Sequence, residues 1–378
     1  MIYLDNAATT FQKPECVKKA VINALNTCAS PGRGGYILSR RASSVVYSAR
    51  EALARLFNIP EPENIVFTNN ATTAINTALK GVLKSGDNVL TTSMEHNSVL
   101  RPLKALEKQG IETSYIKADS CGYISPESVA NALTSDTRLL CLIHSSNVCG
   151  SKNDLASIGI EAKRKGVIFM VDASQSAGCS TIDVRRYNID ILAFPGHKGL
   201  LGPQGSGGLY IRKGIDVSPL TEGGTGSMSE SLFQPDIFPD RLESGTLCVP
   251  AIAGLLAGTN HILKVGAEEI GKYERYLTRI LAEDLSAIKG VELKGSPFSE
   301  NCSAVLSVVT PMDCFSLSDK LFKNHGICVR AGLHCAPLAH KTLGTFDTGT
   351  VRFSPGIYTT PRDIKKAASA VAKCLKET

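Results

Sequence analysis

Residues 167–198 read VIFMVDASQSAGCSTIDVRRYNIDILAFPGHK. Two mostly apolar runs, 167–171 and 190–194, each stop at residues that carry chemistry. Asp172 and Gln175 follow the first; His197 and Lys198 follow the second. Runs that are apolar along their length, without alternation, predict strands buried on both faces, and hence a mostly parallel sheet covered by helices. In such sheets ligands bind beyond the carboxyl ends of the strands. Lys198 sits in GHKG, between Gly196 and Gly199. A solvated surface lysine needs no such setting. The glycines are expected to let the backbone crowd a bound group that Lys198 anchors.

Further strands are expected at 65–68, 88–91, 139–143 and 207–211, with helical stretches between several of them. In 72–84, Ile75, Ala78, Leu79, Val82 and Leu83 fall on one helical face. After residue 258 the texture changes. A long helical pattern over 261–288 precedes short strand runs at 303–309 and 327–331, and a helix over 362–376 closes the chain. The pattern describes a large α/β domain, residues 15–258. A smaller α+β domain is expected from residues 1–14 and 259–378.

The bulk properties agree with a globular protein of more than one core: 378 residues, 43% apolar, 20% charged. The net charge of +6 is spread along the chain. Short clusters such as Lys163, Arg164 and Lys165 read as solvated helix faces, so no nucleic-acid partner is expected. No run reaches the length of a membrane helix, and MIYLDNAATT lacks a basic segment followed by an apolar one, so no membrane association or signal peptide is expected. The twelve cysteines are scattered and include no CxxC pair. Free thiols in a reducing, cytoplasmic setting are the simplest account.

The remaining strand ends extend the polar set. NVLTTS leads to Glu95 and His96, IVFTNN to a helix start at Ala71 and Thr72, and LLCLIHSS to Asn147. Pyridoxal phosphate uses all of these types. A lysine holds its aldehyde as a Schiff base, and a carboxylate against the pyridine nitrogen makes the ring an electron sink. A helix N-terminus with a hydroxyl suits its phosphate. A histidine beside the ring moves protons. Taken singly, each residue has a plain structural reading: Asp172 a cap, Lys198 a surface charge, His96 a packed ring. Their joint placement carries the argument. GPQGSGG at 202–208 lacks the Gly-Lys-Ser/Thr of a nucleotide loop and reads as packed glycine turns.

NNATTAIN, TTSMEHNSV, SSNVCG, VDASQ, GHKGLLGPQG, ESGT, VRAGLHCAP and VRFSPG occur in an order that resembles the cysteine desulfurases. These are fold-type I pyridoxal phosphate enzymes of the class V aminotransferase group. The resemblance runs from YLDNAATT to the C-terminal helix, and RAGLHCAP is similar to the second desulfurase group. It implies a seven-stranded, mostly parallel sheet and a homodimer. Lys198 would hold the cofactor, Asp172 its ring nitrogen, Gln175 its phenolic oxygen and His96 its face. Ala71, Thr72 and His197 would contact the phosphate, with Thr246 reaching the neighbouring subunit's. Asn147 and Arg352 would hold the substrate carboxylate, with Asn147 also near the cofactor. Cys335 would be the nucleophile, with Arg330 and His334 at the substrate.

Read without the resemblance, Arg352 is a surface salt bridge and Cys335 is inert packing. Its neighbours Arg330 and His334 are cations that favour the reactive thiolate. His334, Cys335 and His340 lack a fourth partner for a metal site, and no metal is expected. The implied activity converts L-cysteine to L-alanine and passes the sulfur, as a persulfide on Cys335, to an acceptor protein or small thiol. Selenocysteine lysis, another β-elimination, or a non-catalytic sulfur carrier remain alternatives on the same scaffold. The chain departs from the resemblance at Pro195, where a hydroxyl residue is usual before GHK, and at Leu247–Cys248, Tyr36 and Thr359. Proline has neither hydroxyl nor N–H to give a phosphate.

Overall fold

The computed structural model describes residues 1–32 and 34–376. The chain opens with β1 (Ile2–Tyr3), α1 (Glu15–Thr27) and α2 (Ile37–Phe57). There follow β2 (Ile65–Thr68), α3 (Ala71–Val82), β3 (Asn88–Thr92), α4 (Asn97–Glu107), β4 (Glu112–Ile116) and α5 (Pro126–Ala132). Next come β5 (Thr137–Ile143), α6 (Leu155–Lys165), β6 (Ile168–Asp172), β7 (Ile191–Pro195) and β8 (Gly207–Ile211). The last stretch holds α7 (Val249–Val265), α8 (Ala267–Ser286), β9 (Glu292–Lys294), β10 (Leu306–Val309) and α9 (Cys314–His325). It ends with β11 (Ile327–Cys328), β12 (Arg330–Gly332), α10 (Pro337–Thr342), β13 (Thr350–Phe353) and α11 (Pro361–Lys376).

Seven strands form the large sheet, in the order β2-β8-β7-β6-β5-β3-β4. β8 runs against both its neighbours; the other pairings are parallel. The carboxyl ends of β2, β3, β5, β6 and β7 therefore share one edge. The central strands are buried on both faces, as their unbroken apolar runs require. One face packs Phe57, Leu142, Phe169, Val171 and Phe194; the other packs Val66, Ile75, Leu79, Val99 and Met170. Each such side chain contributes about 1.5–3 kcal/mol on burial. β4 has an alternating, partly exposed pattern, ETSYI, so a search for apolar runs passes over this edge strand.

A second, antiparallel sheet runs β12-β13-β10-β9. β1 pairs in parallel with β11, which ties the N-terminus to this part of the chain. Leu4, Leu281, Leu321, Phe353 and Val371 share its core.

Two element expectations need correction. The helix expected over 261–288 is the end of α7 and then α8, broken at Gly266, whose φ of +97° leaves the helical region. The apolar period continues across the break, so periodicity could not reveal it; Glu268 and Glu269 in the first turn of α8 suit a helix start. The run 327–331 is likewise two strands, β11 and β12, which join different sheets. Lys163, Arg164 and Lys165 form the exposed last turn of α6, where cations complement the helix dipole.

Candidate active site

A cavity of about 240 Å³ opens at the shared carboxyl edge of the large sheet. Its wall includes Ala71, Thr72, His96, Asn147, Asp172, Gln175, His197, Lys198, Arg330, His334, Cys335 and Arg352, together with Pro195 and Ser98. Residues from Ala7 to Arg352 are thus gathered, chiefly by strand ends and by the β12–α10 loop.

Asp172 is the last residue of β6 and is buried. Its Oδ1 accepts the N–H of Ser174 at 2.9 Å and also the Ser174 hydroxyl. Among the described residues no donor reaches Oδ2. Burial pushes the carboxyl up, while these bonds and the nearby Lys198 ammonium pull it down. Lys198 follows β7. Its carbonyl accepts from Thr10 Oγ1 and Leu201 N, both at 2.9 Å, which fixes the backbone and leaves Nζ without a hydrogen bond among the described residues. Burial brings the ammonium down to about 8, against the attraction of Asp172 and with the help of Arg352 and Arg330.

The flanking glycines do not face the bound group, contrary to expectation. A Cβ on Gly196 would lie 2.1 Å from Ser206 Oγ, and one on Gly199 would lie 2.4 Å from the carbonyl of Ala177. They let the GHKG turn pack against its own neighbours.

α3 begins at the cavity. Asn70 caps it, accepting Thr73 N at 2.8 Å, and this leaves the N–H groups of Ala71 and Thr72 with no helical partner. His96 caps α4 with its ring: Nδ1 accepts Ser98 N at 3.0 Å. An N–H only donates, so the neutral ring carries its proton on Nε2. Burial, then Lys198, lowers His96 to about 4. His197 is lowered to about 4, chiefly by burial, and its Nδ1 lies 3.0 Å from Thr9 Oγ1. Gln175 Nε2 donates to the Ala7 carbonyl at 3.0 Å.

Arg352, in β13, is 1% exposed, so the surface salt bridge of the plain reading is corrected: apolar neighbours in β13 carry it inward. Nη2 pairs with Asp5 Oδ1 at 2.8 Å and Nη1 donates to the Asn147 carbonyl at 3.0 Å. Each Nη keeps a second N–H. Asn147 donates Nδ2 to the His334 carbonyl at 2.7 Å, and its Oδ1 is buried without a partner.

Cys335 is exposed at the cavity mouth, and Arg330 Nη2 lies 4.0 Å from its Sγ. His334 and Cys335 both adopt left-handed backbone, φ +48° and +58°. The loop is held because Asn97 N donates to the Cys335 carbonyl at 2.7 Å. His334 is not a cation beside the sulfur, as expected above. Its ring is buried with Nε2 2.9 Å from Thr350 Oγ1, and burial drives it well below the ordinary histidine range. Positive charge near the sulfur comes from Arg330 and, deeper in the cavity wall, from Arg352. Thr246 is exposed outside this cavity and lines a separate groove of about 530 Å³.

Sequence reasoning missed Asp5, Ser98 and Ser174. Asp5 and Ser98 act through partners 347 and 26 residues away, which no local pattern shows. Ser174 was legible as the hydroxyl two residues after Asp172.

The residues fit pyridoxal phosphate. Among the described residues, a carboxylate with a free oxygen, an unbonded lysine amine, open helix N–H groups and an orphaned amide oxygen converge on one cavity. The description Aminotransferase class-V matches residues 2–367. A probable cysteine desulfurase of Methanothermobacter thermautotrophicus is 36% identical over 371 residues, covering 96% of this chain and 92% of its own. The cysteine desulfurase IscS of Azotobacter vinelandii is 30% identical over 390 residues, covering 99% and 92%. The apo structure of a cysteine desulfurase from Thermococcus onnurineus superposes with a TM-score of 0.94 at 31% identity, covering 100% of this chain and 95% of that one. The chain belongs to the class-V aminotransferase family, among its cysteine desulfurases.

Proposed function

We propose that the chain is a pyridoxal-phosphate cysteine desulfurase that converts L-cysteine to L-alanine and carries the sulfur on Cys335. The observation that supports this most is the presence of Lys198, Asp172 and an exposed Cys335 on the wall of one cavity. When bound, pyridoxal phosphate supplies an electron sink for the α-carbon of an amino acid. Asp172 would face its ring nitrogen, Lys198 its carbonyl carbon, Gln175 its phenolic oxygen, and Ala71, Thr72 and His197 its phosphate.

The chain's own groups then divide the work. Arg352, oriented by Asp5, offers its remaining Nη protons to the substrate carboxylate, with Asn147 beside it. Lys198 is neutral in a large fraction near pH 8 and takes the α-proton. His96 presents Nε2–H to the cavity. Cys335 attacks the substrate sulfur: the S–S bond forms as the C–S bond breaks, and that electron pair stays with the carbon fragment. Protonation of the fragment gives alanine, so L-cysteine and the Cys335 thiol become L-alanine and a persulfide without external oxidant. Arg330 Nη2 lies 4.0 Å from the attacking sulfur.

Exposed Thr246, close in sequence to the fully exposed Leu232 and the largely exposed Phe233, supports a homodimer in which this region meets the partner's cavity. The separate sheets, and the core that Leu4 shares with Leu281 and Phe353, support domains of 15–258 and of 1–14 with 259–378, with Ile262 and Ile270 packing into the core of the large sheet. The cysteines are free thiols, which supports a reducing, cytoplasmic setting and a thiol or protein acceptor. No helix among the described residues is long and apolar enough to cross a membrane.

The test is turnover. With L-cysteine and a reducing thiol, the wild type releases alanine and sulfide in equal amounts, and Lys198→Ala releases neither. Turnover confined to L-selenocysteine, or activity undiminished in Lys198→Ala, contradicts the reading.

A further inference from the structure

Pro195 closes β7 on the cavity wall, close to the start of α3, and brings neither hydroxyl nor N–H to an anion there. Across that corner stands Ser98, in the first turn of α4. Its hydroxyl lies 2.7 Å from Thr72 Oγ1 and 2.9 Å from His96 Nδ1. Nδ1 already receives the Ser98 N–H at 3.0 Å, so the ring does not depend on the hydroxyl proton. Two hydroxyls, Thr72 and Ser98, are thus held side by side at the mouth of α3, whose first N–H groups are open.

We propose that Ser98 is a ligand of the cofactor phosphate, supplying beside Thr72 the hydroxyl that Pro195 lacks. Both hydroxyls are donors that turn from each other to an anion without moving the backbone, and the open end of α3 favours negative charge between them. The proposal rests on the reading of this cavity as a pyridoxal phosphate site. It also revises the expectation set by Pro195 alone: cofactor binding is not short of a hydroxyl.

The test is equilibrium dialysis of the apo-protein and its variants against pyridoxal phosphate and against pyridoxal, which lacks the phosphate. Ser98→Ala is expected to weaken pyridoxal phosphate binding about tenfold to hundredfold, the worth of one hydrogen bond to a charged group, and to leave pyridoxal binding unchanged. Ser98→Thr keeps wild-type affinity. Pro195→Ser alone changes little, but in the Ser98→Ala background it restores most of the loss. Wild-type affinity in Ser98→Ala overturns the proposal. So does an equal loss for both ligands, which marks general damage, or a double variant no better than Ser98→Ala. A wild type that binds neither compound overturns the cofactor reading itself.

Discussion

Lys198 shows how a single side chain is prepared. Its carbonyl is fixed by Thr10 and Leu201, its amine has no hydrogen bond among the described residues, and burial brings the ammonium down to about 8. The neutral amine is the form that attacks an aldehyde, and its fraction grows as pH rises through that value. Loading of the apo-protein with pyridoxal phosphate should therefore quicken about tenfold per unit of pH on the acid side of 8 and level off above it. Borohydride reduction at timed intervals, followed by the mass of the Lys198 peptide, reads this directly. A rate that keeps climbing to pH 10 would show an ordinary, solvated lysine. Lys198 and Asp172 were legible because each ends an apolar run, which fixes both strand and edge. Asp5 and Ser98 were not, because their meaning lies in partners brought close only by folding. His334 misled for a related reason: adjacency to Cys335 in sequence says nothing of a ring that turns inward to Thr350.

Among the elements, α8 packs against the turn that follows Gln175. Gly271 lies against the carbonyl of Cys179, and a Cβ there would come within 2.0 Å of that oxygen. Cys179 belongs to the turn after Gln175, between Asp172 and Lys198 in sequence. Gly271→Ala is expected to push α8 away from this turn at a cost of about 1–3 kcal/mol in stability, the usual range for overpacking a filled interior. A urea titration measures it; an unchanged midpoint would mean that α8 shifts freely. The central strands and α3 were legible from apolar runs and one-sided periodicity. The α7–α8 break and the β11–β12 split were not, since hydrophobic period is blind to a single residue that changes backbone direction. The left-handed pair His334 and Cys335 is similarly invisible without coordinates. Each left-handed residue costs roughly 1–2 kcal/mol. The bonds of Asn147 to the His334 carbonyl and of Asn97 to the Cys335 carbonyl offset that cost and keep the loop in one shape.

For the whole molecule, two sheets define one reaction space. The parallel strands deliver Asp172 and Lys198 at a common edge, while β12, β13 and the loop after β12 deliver Arg330, Arg352 and Cys335 opposite them. β1, paired with β11, brings Asp5 to Arg352 from the far end of the chain. A lysine and a carboxylate, two arginines and a thiol thus come from separate parts of the sequence, and only the assembled fold brings them to one cavity. Cys335 is one of twelve cysteines, of which Cys16 and Cys248 are also exposed. The central claim is that sulfur transfer singles out this one. Cofactor-loaded protein is mixed with L-cysteine without reductant, alkylated and digested, and each cysteine peptide is weighed while free alanine is counted. The account predicts one extra sulfur on the Cys335 peptide for each alanine released in the first turnover, and alanine formation halted in Cys335→Ala. Extra sulfur chiefly on Cys16, Cys248 or Cys328, or first-turnover alanine undiminished in Cys335→Ala, would contradict it.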